Sequence, residues 1–149
     1  MKVLLITKFS PAFDGLPDPL ADIPAEGMAA MGKYMDEMIE AGVLLSADGI
    51  KPTKFGKRVD FNGTKRTITD GPFTESKELI SGFFMLEVAS MDEAMSWAQR
   101  FPNHYRTEWR IEVRPLWEPA DVSPQMAADW AEREAKGAAK QAAKATGKK

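Results

Sequence analysis

The chain has 149 residues, 44% apolar and 28% charged, a length and balance that fit one ordinary globular domain with its own hydrophobic core. Having no cysteine and a single histidine, His104, it is excluded from disulfide frameworks, thiolate chemistry and multi-histidine metal centres, and no apolar run approaches the roughly 20 residues that span a bilayer. The net charge of −2 is uneven, with 14 Lys and Arg against 19 Asp and Glu in residues 1–124 and six against three in residues 125–149, so an acidic body argues against a nucleic-acid groove.

Met1-Lys-Val-Leu-Leu-Ile-Thr7 opens like a signal peptide, but its apolar run is short and no small-residue cleavage site follows, so a cytoplasmic protein is expected. Lys2–Thr7 reads as a buried strand. Ser10–Pro24, with four prolines and three aspartates, reads as a long loop. Pro24 suits a first helical position. Met28, Met31, Met35, Met38 and Ile39 then repeat at helical spacing until Gly42, predicting a helix over 24–41 with a methionine-rich inner face.

Val43–Ala47 is a second strand. Arg58–Phe61 and Thr64–Ile68 flank Asn62-Gly63, the signal of a two-residue hairpin turn, which would set Asp60 opposite Lys65 and Phe61 opposite Thr64. Gly82–Ala89 is another apolar strand. Ser90 caps the next helix with Glu93 three residues on, and Met91, Ala94, Trp97, Ala98 and Phe101 form its apolar stripe. Ile111–Trp117 is the last strand, with Pro115 marking an edge or an end. The order β-α-β-β-α-β with an inserted hairpin predicts a ferredoxin-like α+β sandwich over residues 1–118. Residues 119–149 read as a helix from Ser123-Pro124 through Trp130, then an alanine- and lysine-rich tail from Gly137 expected to be frayed or disordered.

Candidate site residues cluster in Thr69-Asp-Gly-Pro-Phe-Thr-Glu-Ser-Lys-Glu78. Asp70 has two readings: a carboxylate beside Phe73 that serves as base or ligand contact, or turn grammar in Asp-Gly-Pro. Glu75 and Glu78 with Asp70 supply oxygen ligands of the kind a hard cation takes, Lys77 offers an anion contact, and the plain alternative is a solvated loop with local ion pairs. No dedicated metal site or cofactor is expected. Arg114 lies amid Ile111, Val113 and Leu116. It needs a carboxylate or an anionic ligand if buried, with Asp70 or Glu75 as internal partners. Alternation puts it with Glu112 on one face of the strand. His104 sits in a polar loop and reads as a surface residue.

The ordered set Thr69–Glu78, Gly82-Phe-Phe, Glu87-Val, Glu93-Ala, Trp97 and Glu112-Val-Arg-Pro115 resembles the YCII-related family, and within it the DGPF branch, over about residues 2–117. That resemblance implies a subunit pairing into a dimeric α/β barrel with a cleft near the sheet and dimer interface. Some relatives are proposed to use a His–Asp pair. The aligned positions here are Met31 and Phe101, and neither transfers a proton. Other DGPF proteins are encoded beside extracytoplasmic-function sigma factors, which implies a regulatory, transcription-related partner by analogy. The reading that results is a homodimer binding a small polar or anionic molecule through Asp70, Phe73, Glu75, Lys77 and Arg114. The alternatives are a cofactor-free isomerase, lyase or monooxygenase with Asp70 as acid–base, and a protein-interaction module using the Trp130 helix.

Overall fold

Strand β1 (Lys2–Phe9) alternates strictly, with Val3, Leu5, Thr7 and Phe9 buried and Leu4, Ile6 and Lys8 half-buried between them. The run expected to be uniformly buried is therefore a central strand with two unequal faces. In the computed structural model, which describes residues 1–10, 23–73, 79–103 and 108–146, β1 pairs antiparallel with β5 (Leu79–Glu87) on one side and β6 (Trp109–Pro115) on the other. Strand β2 (Leu44–Gly49) adds to the far side of β5, giving the order β2-β5-β1-β6. Helices α1 (Ala25–Glu40) and α2 (Met91–Gln99) supply the two crossovers. Both pack on the Val3–Leu5 face, where Tyr34, Met38, Phe84, Leu86, Ala94, Trp97 and Phe101 complete the core. This is the ferredoxin-like α+β fold expected from the element order, with β3 (Lys57–Asn62) and β4 (Lys65–Asp70) inserted as a separate two-stranded sheet. Pro115, lacking an N–H, ends β6, and β6 is an edge strand. Most of the Ser10–Pro24 loop expectation lies outside the described residues.

Helix α1 turns part of the predicted methionine face inward, with Met38 in the core and Met31 and Met35 packed against it, but the inner face is rotated away from Met28 and Ile39. Gly27, Tyr34 and Met38 are buried, whereas Met28 and Ile39 are 58% and 59% exposed. Tyr34 decides the phase. Its ring meets Phe84, Trp97 and Phe101 at centroid separations of 5.3–6.3 Å, and its hydroxyl donates to the Trp97 carbonyl at 2.9 Å. An amphipathic aromatic thus outranks two flanking aliphatics, because it fills volume and satisfies a buried carbonyl together. Burial pushes its phenol up to about 12, with Arg100 partly opposing and Glu37 adding to the rise. Arg100 also pairs with Glu37 and lies over the Trp97 ring at 4.6 Å, tying α2 to α1. Helix α2 begins as expected: the Ser90 hydroxyl accepts from the Glu93 N–H at 3.2 Å. The Glu93 carboxylate accepts from the Ala89 N–H at 2.7 Å, one residue earlier than in the usual reciprocal cap.

The hairpin register differs from the expected one. Asn62 pairs with Lys65, Phe61 with Arg66 and Asp60 with Thr67, so Gly63-Thr64 is the turn, not Asn62-Gly63. Gly63 has φ +58° and no other residue of the turn is positive. That is the type II′ pattern, with glycine at the first central position, and it leaves Asn62 in the ladder. One hairpin face holds the pairs Lys57–Asp70, Val59–Ile68 and Phe61–Arg66.

A lone two-stranded ribbon is marginal in water, and this one is pinned at its base. The Gly71 N–H donates to the Gly56 carbonyl at 3.0 Å, and the Phe73 N–H donates to the Thr53 hydroxyl at 3.1 Å. Both acceptors belong to the short 3-10 turn around Thr53–Phe55 or its end at Gly56. A β-carbon on Gly71 would lie 1.8 Å from the Thr53 carbonyl oxygen, so backbone meets backbone there and only glycine fits. Lys57 and Asp70 close the base at 2.5 Å, and the Arg58 guanidinium lies 4.3 Å from the Phe73 ring centroid.

Residues Leu116–Lys149 form a second compact unit. Its helix α3 (Pro124–Thr146) is capped by the Ser123 hydroxyl, which accepts from the Met126 N–H at 3.3 Å. The helix continues through Gly137 to Thr146, correcting the expectation that the chain frays there. Alanine, lysine, glutamate and glutamine are strong helix formers, and the i,i+4 pairs Gln125–Asp129 and Glu132–Lys136 support the ladder without a buried face.

Two outcomes follow. Tyr34→Phe leaves the Trp97 carbonyl without its donor and lowers stability by about 1–2 kcal/mol in denaturant unfolding. Because the folded phenol titrates near 12 and the ordinary one near 10, the unfolded state loses its proton first; wild-type stability is level below about pH 10 and falls as pH rises from there towards 12. Tyr34→Phe removes that alkaline slope. Gly71→Ala forces the Thr53 backbone away, costs about 2–3 kcal/mol, and is read out as faster amide exchange in residues 53–73 than in β1.

Candidate functional site

The same alternation that sends Val3 and Leu5 to the helices leaves a second sheet face with a mixed lining. Leu4 stands between Arg114 and Met85, and Ile6 between Glu112 and Phe83. Lys8 stands between Arg110 and Ile80. On the far side of β5, Ser46 opposes Met85 and Asp48 opposes Phe83. Leu4, Ile6, Phe83 and Met85 are half-buried and absent from the helix-facing core. They form an apolar floor beside a cluster of three cations, Lys8, Arg110 and Arg114, and the carboxylates of Glu112 and Glu108.

Glu112 organises that cluster. Its carboxylate accepts a hydrogen bond from Lys8, whose side chain is only 17% exposed. That bond first, and then the charges of Lys8, Arg114 and Arg110, hold the Glu112 carboxyl below the usual carboxylate range against the opposing effect of burial. Arg110 also pairs with Glu108 at 3.5 Å, so three cations and two carboxylates line the edge formed by β1 and β6. Groups of this kind can hydrogen-bond an anion while the apolar floor meets the rest of a small molecule.

The sequence-selected residues divide between two places. Arg114 belongs to the sheet-face cluster; it is exposed and makes no ion pair among the described residues. Asp70 and Phe73 belong to the hairpin base, where Asp70 is 74% exposed and pairs with Lys57. No hydrogen bond or ion pair joins Asp70 to Arg114, so the internal pairing considered for Arg114 is not formed with Asp70. Glu75, Lys77, Glu78 and His104 lie outside the described residues. Phe101 is buried among Tyr34, Phe84 and Trp109, and Met31 packs against the same core. Both positions are structural.

Lys8 and Arg110 were not singled out from the sequence. The signal was available in the alternation of Lys2, Leu4, Ile6, Lys8 with Arg110, Glu112, Arg114, once β1 and β6 are known to be neighbours. A concavity of about 400 Å³ lies between α2 and β6, lined by Met95, Ala98, Phe101, Trp109 and Val113 among others. Its aromatic wall is fixed by Trp109 Nε1–H donating to Asn103 Oδ1 at 3.0 Å. Among the described residues no three His, Asp or Glu side chains gather as a metal-binding group, and no helix is long and apolar enough to cross a membrane.

Comparison with known proteins gives three results. An uncharacterized protein of Rhizobium meliloti is 35% identical over 89 residues, which is 60% of this chain and 72% of that protein. The solved structure of the 5-chloro-2-hydroxyhydroquinone dehydrochlorinase of Burkholderia phenoliruptrix, in complex with 2,5-dihydroxybenzoquinone, is 16% identical. It aligns over 79% of this chain and 94% of its own, with a TM-score of 0.42. Residues 1–118 match the YCII-related domain, and the chain belongs to that family.

Proposed function

We propose that this protein is a cytoplasmic homodimer that binds a small polar or anionic molecule over the second face of its sheet, with Arg114 and Lys8 as the polar contacts. The observation that carries this reading is the gathering of Lys8, Arg110 and Arg114 about the Glu112 carboxylate, with Glu108 on Arg110, beside the apolar floor of Leu4, Ile6, Phe83 and Met85. Pairing two such faces in a two-fold dimer buries the floors and encloses the charged edge, turning an open surface into a cleft. Asp70 and Phe73 support the site indirectly by fixing the hairpin base. An acid–base role for Asp70 draws no support from its surroundings, which are solvent and the Lys57 ammonium.

Thermal-shift screening against small carboxylates and phosphate esters tests the ligand class. Anions of this size raise Tm in the wild type. Arg114→Ala abolishes most of that rise, and Asp70→Asn leaves it within error. Ligand-induced stabilisation that survives Arg114→Ala would place the site elsewhere. Sedimentation tests the pairing: the wild type runs at twice the 16.5 kDa chain mass, and Phe83→Glu, which sets a charge on the floor, runs as a monomer. A wild type that stays at the chain mass at high micromolar concentration rules the dimer out.

A further inference from the structure

We propose that the β3–β4 hairpin is a docking arm whose occupant is a second copy of this chain, seated along the exposed flank of α1. The hairpin presents Val59, Phe61 and Ile68 on one face, at 45%, 71% and 68% exposure, with Phe55 at 68% beside its base. The register places Val59 opposite Ile68 and Phe61 next in line, so these side chains make one contiguous apolar strip rather than scattered exposures. An isolated ribbon with such a strip is stabilised by a second layer, and none of the four side chains is buried within its own chain.

The matching surface is on α1. Met28, Gly32, Met35 and Ile39 follow one another at helical spacing along the flank beside the core stripe, with Met28 and Ile39 largely in solvent. No atom lies within 4 Å of where a β-carbon of Gly32 would stand, other than its own helix turn and chain neighbours. Glycine inside an exposed helix costs about 1 kcal/mol relative to alanine, and what it offers in return is close approach of another backbone. A flat ribbon is the element that uses such a gap.

Charge selects the partner. Residues 51–70 contain six Lys and Arg against two Asp, whereas residues 25–40 contain four Asp and Glu against one Lys. The arm is basic around an apolar strip and the helix is acidic around an apolar strip, so the two surfaces complement each other in both respects. A polyanion such as single-stranded nucleic acid matches the charge alone. It leaves Val59 and Ile68 without a partner, and four of the six cations are already laid over rings, Arg66 over Phe61 at 4.4 Å, Arg58 over Phe73 at 4.3 Å, and Lys51 and Lys54 over Phe55 at 5.7 and 5.3 Å. This contact uses surfaces distinct from the sheet face discussed above and does not depend on it.

The chain has no cysteine, so introduced thiols are unique. Two differently tagged full-length copies, one Ile68→Cys and one Ala29→Cys, an exposed position beside Gly32 on α1, are mixed and treated with a short bismaleimide, both as such and with Phe83→Glu added to each so that sheet-face pairing is removed. The expected result is a cross-linked hetero-tagged pair in both backgrounds, formed at least about tenfold faster than with an Ala131→Cys control copy. Reversing the arm (Lys54→Glu with Lys65→Glu) or the helix (Asp36→Lys with Glu40→Lys) slows it by about tenfold or more, and mixing the two reversed copies restores it. The proposal is overturned if the cross-link is no faster than the control, or if the reversed copies fail to rescue each other. It is also overturned if the arm reversal abolishes binding of a mixed-sequence single-stranded oligonucleotide while leaving the cross-link rate unchanged.

Discussion

The period-two alternation of β1 governs this structure. As the strand between β5 and β6, it has no solvent edge, so each of its side chains must go to one sheet face or the other. Val3 and Leu5, both fully inaccessible, anchor the helices, each worth about 2 kcal/mol in apolar burial. Leu4, Ile6 and Lys8 are delivered to the opposite face by the same geometry. A slip of one residue would exchange the two sets, placing an ammonium in the core and the core aliphatics on the outside. Hydrophobic burial on one face therefore fixes the positions of charged groups on the other, and the candidate site is a by-product of the register that builds the core.

The Asp-Gly-Pro-Phe segment has structural partners of its own. Its glycine is dictated by the Thr53 carbonyl, its phenylalanine supplies an N–H to the Thr53 hydroxyl and a ring to Arg58, and its aspartate completes a cross-strand pair with Lys57. Each residue type has a packing or hydrogen-bonding reason, so the segment's presence is explained without a substrate. Charged groups suited to an anion are assembled on the sheet instead, by strands far apart in sequence.

Elements with strong local signals were legible from the sequence. The Ser90 cap, the Ala94–Trp97–Phe101 stripe and the strand ended by Pro115 all rest on rules that act within a few residues. In α1 the methionine spacing places Met31, Met35 and Met38 on the core but also enlists Met28 and Ile39, because hydrophobicity alone ranks them above Tyr34, while the phenol's value comes from Trp97 in another helix. The hairpin turn moved by one residue because Asn-Gly is a good turn only where both residues take positive φ, and here the ladder claims Asn62. The α3 helix runs past Gly137 without a buried face because intrinsic propensity is enough. As for the site, Arg114 was visible as an arginine on an apolar strand, but its companions Lys8 and Arg110 required knowing that the first and last strands lie side by side.

The hairpin also joins the two halves of the fold. Everything before its tip contains β1, α1 and β2, and everything after contains β5, α2 and β6, so Gly63-Thr64 is the point where one β-α-β unit hands over to the other. The anchors at Thr53, Gly56 and Gly71 all lie at the base, leaving the tip without tertiary duties. The chain is thus divisible there into two fragments of comparable architecture. Each carries one strand of the ribbon and half of an interleaved sheet, and each has a shared antiparallel seam to recognise the other by.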